Sequence, residues 1–334
     1  MAAFVTGAAG FVGLAVTEAL LMRGERVIGF DLFPVSEHAA STFAGLPGRF
    51  EQVIGDIRDA QGLKIALRQS GANCVLNLAA VTAGASREIA DPVGVVRVNI
   101  EGAAATVEAA AACGIRRVLH LSSGSVYGAS GRDVGLLTED TPLRPEQLYG
   151  ITKQASEAVA LRLADLHRLD LSIGRLGTCF GRWEYATSAR DTPSAPYQIV
   201  QAARSGIPAI LPRPHPRDWF YARDAAAAVL ELLYASTRRH QVYNLAAGFK
   251  WSIADFCARL QQLRVGFEWR FAQHGEQANI DYYMPYDRAA MAIDRLRGDT
   301  AFLPRYNLDE ALADYLQWLG PAFDPVPRHG GTPS

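Results

Sequence analysis

Along the first 177 residues, short apolar runs alternate with longer segments of helical periodicity. The run ending in Val5-Thr6 predicts a strand, and the apolar stretch behind Phe11 a helix. Arg26-Val27-Ile28-Gly29-Phe30 predicts a second strand and Phe50–Ile54 a third, followed by a helix over 59–70. Residues 73–79 form an apolar run interrupted only by Asn73 and Asn77, the mark of a strand covered on both faces. A helix over 92–113, a strand over 116–122, a long helix over 145–167 and a strand over 169–176 complete the series. Repeated βα units with short links imply a doubly wound parallel sheet, with ligands at the C-terminal strand ends. Asp56, the Ala79-Ala80 turn and Ser122-Ser123 then share an edge with the turn from Gly7 to Gly13.

Beyond residue 177 the texture changes. Residues 178–221 are rich in arginine, proline and aromatics and do not read as βαβ sequence. Helix returns over 222–235 and strand over 242–245. A helix over 252–264, a strand over 267–271 and a last helix over 308–318 follow. The pattern gives an α/β fold with a Rossmann-type sheet domain (1–177, rejoined by about 222–245). A smaller, discontinuous C-terminal substrate lobe (178–221 and 246–334) completes it. The tail over 325–334 is expected to fray.

The glycine turn carries the first chemistry. Gly7, Gly10 and Gly13 in G-x-x-G-x-x-G, with Phe11 and Val12 between the last two, join the first strand to its helix. Gly7 suits a tight turn, Gly10 admits a pyrophosphate to the backbone, and Gly13 lets helix and strand pack closely. The helix N-terminus offers free N–H groups to phosphates. Asp31, 18 residues after Gly13, stands where a carboxylate accepts adenosine ribose hydroxyls. That carboxylate would repel a 2′-phosphate, and Leu32-Phe33 follow where an arginine would serve NADP, so NAD is the expected cofactor.

Composition narrows the class. With 49% hydrophobic and 20% charged residues, the chain reads as a globular protein. A formal net charge of −1 supplies no field for nucleic acid or an anionic membrane. No run of about 20 apolar residues predicts a membrane span. Cys74, Cys113, Cys179 and Cys257 lie far apart, and neither they nor the seven histidines show metal-ligand spacing. A cytoplasmic protein without metal is expected.

Tyr149 and Lys153 are four residues apart on a predicted helix, hence one turn apart on one face. An ammonium beside a phenol is expected to lower the tyrosine pKa, readying it to take a proton from an alcohol. Ser123, at the end of the preceding strand, is placed to orient that alcohol, with Ser122 and Ser125 beside it. Y-x-x-x-K alone is a common surface pair; the serine-rich strand end and the upstream nucleotide turn give it meaning. Thr82 and Ser86 could meet substrate hydroxyls, or simply shape a turn. Arg182, Arg190, Arg204, Arg213, Arg217, Arg223 and Arg288 could grip an anion or be solvated. Trp183, Tyr185, Trp219 and Tyr221 could stack on a ligand or fill a core.

The sequences TGAAGFVG, Gly55-Asp56-Ile57, LAA at 78–80, VNIEG with Asn99, SSGSVYG, YGITK and RDWFYARDAA together resemble the extended short-chain dehydrogenase/reductases, the NAD-dependent epimerase/dehydratase group. The resemblance spans nearly the whole chain. It implies catalytic roles for Ser123, Tyr149 and Lys153, with Tyr149 and Lys153 also touching NAD. It implies cofactor contacts at Asp56 and Ile57, at Leu78, Ala79 and Ala80, and at Asn99. It implies a substrate diphosphate on Arg217, substrate contacts at Thr82, Ser125 and Thr178, and a homodimer through the helices over 92–113 and 146–167. Two departures bear on the substrate. Arg175-Leu176-Gly177-Thr178 replaces the R-Y-F-N of UDP-galactose 4-epimerases and is similar to uronate dehydrogenases. Met284-Pro285-Tyr286-Asp287 replaces their R-P-G-D. The leading expectation is a nucleotide-sugar 4-epimerase. An NAD-dependent dehydrogenase of a free sugar or sugar acid stands second, a non-catalytic NAD-binding scaffold third. A dehydratase would need an acid–base pair after Ser123, where this chain has Gly124-Ser125.

Overall fold

The protein is described by a computed structural model covering residues 1–185, 190–264, 266–282 and 284–320. The tail expected to fray, 325–334, lies outside the described residues. Seven strands form one sheet: β1 (Ala2–Thr6), β2 (Arg26–Asp31), β3 (Arg49–Ile54), β4 (Cys74–Asn77), β5 (Arg117–Ser123), β6 (Asp170–Leu176) and β7 (Val242–Leu245). Their order is β7-β6-β5-β4-β1-β2-β3, with every neighbouring pair parallel. The strand order reverses between β1 and β4, where a doubly wound sheet opens its ligand crevice. β4 is buried at all four positions, as its apolar residues required, and its polar last residue, Asn77, is hydrogen-bonded to Thr6 and His120.

The long helices are α1 (Phe11–Met22), α2 (Glu37–Ala44), α3 (Ala60–Ser70), α4 (Gly102–Ala112), α5 (Leu148–His167) and α6 (Ala222–Tyr234). Apart from α2, they fall where periodicity placed them. α2 was not anticipated, although Ser36 caps it by accepting the Ala39 N–H. The helix expected over 92–113 runs without a break from Pro92 to Ala112, with one π-helical turn, Arg97–Glu101, between Pro92–Val96 and α4. That turn carries Asn99, which is buried.

A second apolar core lies beyond the sheet. Phe180, Trp219, Trp251 and Phe256 pack ring against ring there, joined by Ile199 and Leu312. Part of it is a helix, Ala195–Arg204, inside the region that showed no βαβ texture. Ser194 caps it and Pro196 stands in its first turn. Short parallel strands Thr178–Phe180 and Trp219–Tyr221 tie this core to the end of β6. Among the described residues no helix is long and apolar enough to cross a membrane.

Candidate active site

The glycine turn is built for close approach. Gly7 has φ +70°, and a Cβ there would lie 2.7 Å from Ala79 across the β1–β4 crevice. A Cβ on Gly13 would lie 2.0 Å from the Gly7 carbonyl oxygen, so only glycine lets α1 sit this near the turn. α1 begins at Gly10 without a side-chain cap or an acidic residue in its first turn, leaving N–H groups for an anion. Asp31 ends β2 and accepts the Ala9 N–H at 2.9 Å and the Phe33 N–H at 3.3 Å. Burial raises its carboxyl pKa, and those N–H groups pull it back down. This cradle fits a dinucleotide pyrophosphate with an acid at the ribose.

Gly7, Gly10, Phe11, Val12 and Gly13 line one cleft with Leu78 and Ala80, and the same cleft continues past Ser123, Tyr149 and Lys153. Asp31, Asp56, Ile57, Ala79 and Asn99 lie outside its lining. Asp56 is ion-paired with Arg58 at 2.5 Å, and Ile57 is buried against Gly102. Asn99 spends its amide within the protein. Its Oδ1 accepts the Val81 N–H at 2.8 Å, and its Nδ2 donates to the Val81 carbonyl and to Thr152 Oγ1, both at 3.0 Å. It therefore fixes the loop that carries Leu78, Ala79 and Ala80.

Ser123 ends β5 and Tyr149 opens α5, and the fold brings the Ser123 hydroxyl close enough to the Tyr149 phenol to favour its charged form. Thr82, from the loop after β4, acts on the Tyr149 phenol in the same direction. Burial is the largest influence on Tyr149 and raises its pKa; Ser123, Thr82 and the charge of Arg190 act against it. The lowering expected from Lys153 is not found. Removing the phenolate from water outweighs what its neighbours return, and Lys153 is not among the groups acting on it. Lys153 is itself buried, and burial pushes its ammonium down to about 8, with Glu157 pulling the other way.

A buried polar layer holds these groups from below. Ser122 donates to Glu157 at 2.5 Å, and Arg175 pairs with the same carboxylate at 2.8 Å. Arg175 also donates to Tyr127 Oη at 3.1 Å, and Tyr127 donates to Asn244 at 2.7 Å. Asn77 links Thr6 to His120, whose other ring nitrogen meets Ser156 on α5. Arg175, in the stretch that departed from R-Y-F-N, thus serves packing and leaves Thr178 to line the cleft.

The far end of the cleft is cationic. Arg217 is 6% exposed, and its Nε and Nη2 are buried without a hydrogen-bond partner. Burial, then Arg288, pushes its pKa down to about 9. The adjacent Asp218 points away and accepts the N–H groups of Ala247, Gly248 and Met291. Of the other arginines weighed, Arg182, Arg190, Arg213 and Arg223 are engaged by carboxylates and Arg204 is exposed. Arg288 is buried, with no carboxylate in ion-pairing distance among the described residues. Trp183 and Tyr221 are core residues, bonded to Glu18 and Asp314, whereas Tyr185 and Trp219 line the cleft. Sequence reasoning passed over His215, which lines the cleft, stacks on Tyr282 at 4.2 Å and meets Asp287 at 2.7 Å. Among the described residues, no three His, Cys, Asp or Glu side chains converge as a metal site.

Comparison with known proteins gives a consistent result. The family model described as "NAD dependent epimerase/dehydratase family" matches residues 3–246. A dTDP-glucose 4,6-dehydratase of Streptomyces griseus is 27% identical, covering 94% of this chain and 92% of its own. A UDP-glucose 4-epimerase of Mycolicibacterium smegmatis is 35% identical over 52% of this chain and 54% of its own. The solved structure of MoeE5 in complex with UDP-glucuronic acid and NAD superposes with a TM-score of 0.76 at 25% identity, covering 95% of this chain and 98% of that one.

Proposed function

The chain belongs to the NAD-dependent epimerase/dehydratase family and is an NAD-dependent enzyme of the extended short-chain dehydrogenase/reductase class, and on that premise we propose that it is a nucleotide-sugar 4-epimerase. The observation that carries this reading is Arg217, a buried guanidinium with two unpartnered nitrogens in the same cleft as Ser123 and Tyr149. A charge so placed calls for an anion, and a diphosphate between sugar and nucleoside answers it while leaving the sugar at Tyr149.

In this reading Ser123, Tyr149 and Lys153 are catalytic. The glycine turn would hold NAD, which would supply the hydride acceptor and donor. Tyr149, having first lost its own proton to solvent, would take the proton of the sugar 4-hydroxyl on Oη, and Ser123 would hold that oxygen. The nearby hydroxyls of Ser123 and Thr82 favour the ionised phenol that this step needs. Lys153 places a positive charge at the base of the cleft. Tyr149 returns the proton once the 4-keto sugar has presented its other face. Asp31 would hold the adenosine ribose and Asp56 and Ile57 the adenine, while Leu78 and Ala80 would wall the cofactor and Ala79 and Asn99 would hold that wall in place. Thr82, Ser125 and Thr178 meet the sugar. The second apolar core belongs to the substrate lobe. The outer faces of α5 and the segment before α4, with Val93, Val96 and Ile151 exposed, form a homodimer contact.

Dehydration of the sugar fits this cleft poorly. No carboxylate follows Ser123, and the space above Gly124 is taken by the Arg288 guanidinium. The one acid among the described cleft residues, Asp281, is exposed. The test is a set of UDP-hexoses and UDP-uronates with purified enzyme, read by epimer formation and absorbance at 340 nm. Epimer without net NADH is expected. Stoichiometric NADH release would instead establish the dehydrogenase reading.

A further inference from the structure

Arg288 reaches the reacting centre along a path cleared by two glycines. A Cβ on Gly131 would lie 2.5 Å from Arg288 Cγ, and a Cβ on Gly124 would lie 2.9 Å from its Nη2. Neither glycine has a positive φ that would demand it, so the space itself excludes a side chain. Gly124 directly follows Ser123, so the guanidinium stands beside the pair that handles the sugar hydroxyl. Its hydrogen bonds are weak: Thr178 Oγ1 at 3.5 Å and Met291 Sδ at 4.0 Å. It lines the cleft and is 6% exposed. The nearby Asp218 is occupied by three backbone N–H groups. Arg288 is therefore a second buried cation awaiting an anion, on the sugar side of Arg217.

We infer that Arg288 is a specificity-determining residue that binds a carboxylate on the reacting sugar, so that the substrate is a nucleotide-linked uronate rather than a neutral hexose. This rests on the assignment of Ser123 and Tyr149 as the reacting pair. The two cations act on each other by charge, but the Arg288 guanidinium stands at Gly124, next to Ser123, where the reacting sugar rather than its diphosphate would lie. The diphosphate meets Arg217, and a carboxylate on the carbon next to the ring oxygen meets Arg288. A planar carboxylate takes two parallel N–H bonds from a guanidinium, while Thr178 Oγ1 can supply a third. A neutral hydroxymethyl group would leave the buried charge unanswered.

The experiment compares UDP-glucuronate, UDP-glucose, free glucuronate and free glucose on the NAD-loaded enzyme, by turnover and by ligand-induced shift of the melting temperature. The wild type is expected to favour UDP-glucuronate over UDP-glucose by about 10- to 100-fold in kcat/KM, the scale of charge-assisted hydrogen bonds. Arg288→Gln should collapse that ratio by losing the uronate alone, and Arg217→Gln should weaken both UDP-sugars together. Should Arg288→Gln fold poorly, Gly124→Ala serves in its place, since its methyl displaces the guanidinium and should shrink the same ratio. Response to free glucuronate but to neither UDP-sugar supports Arg288 and overturns the nucleotide reading. Equal use of acid and neutral sugar, preference for the neutral one, or silence toward all four overturns the inference.

Discussion

Lys153→Met should make the cofactor-free protein more stable at neutral pH while destroying its activity. The native ammonium is held down to about 8 by burial, against 10.5 in the unfolded chain. Below pH 8 the group is charged in both states, and the native state bears the full penalty of burying it. Between pH 8 and 10.5 the unfolded chain binds more protons than the native one, so this group's contribution to stability rises with pH. Above pH 10.5 the penalty is gone. A difference of 2.5 pKa units corresponds to about 3 kcal/mol. Methionine fills a similar volume without the charge. Urea unfolding of both proteins at pH 7 and pH 10.5 measures the effect, and the difference between them cancels all other titrating groups. Lys153→Met should lead by up to about 3 kcal/mol at pH 7, shrinking toward zero at the higher pH. A variant less stable than the wild type at pH 7, or a gap independent of pH, would refute the claim that burial governs this lysine.

Three further outcomes follow from the geometry. Tyr149→Phe should lose about 100- to 10,000-fold in kcat with NAD still bound, read by turnover and cofactor fluorescence. Gly13→Ala places a methyl 2.0 Å from the Gly7 carbonyl oxygen, so it should abolish NAD binding in titration calorimetry and destabilise the fold by about 1–3 kcal/mol. Glu157→Gln leaves Arg175 buried without its carboxylate and should destabilise by about 3–5 kcal/mol in chemical denaturation.

The sheet was legible because a strand buried on both faces must be mostly apolar, and 73–79 is, its buried Asn77 being tolerated because Thr6 and His120 satisfy it. The glycine turn was legible because close backbone approach excludes every other residue. The short helix Glu37–Ala44 was missed although Ser36 signalled it, and so was Ala195–Arg204 although Ser194 and Pro196 did. In both cases cap residues sat outside a conspicuous apolar stripe. The π-helical turn at Asn99 carries no local mark, because i→i+5 bonding answers to packing elsewhere.

The sequence by itself determined the order of βα units, the dinucleotide turn, the acid closing β2, and the serine, tyrosine and lysine brought to one edge. These depend on spacing along a strand or helix, which is local. Only the tertiary structure decided which of seven arginines are free to meet a ligand, because an ion pair is made with whichever carboxylate folding brings near. It also showed that burial, rather than the neighbouring lysine, dominates Tyr149, since desolvation depends on everything packed around a group and on no single spacing.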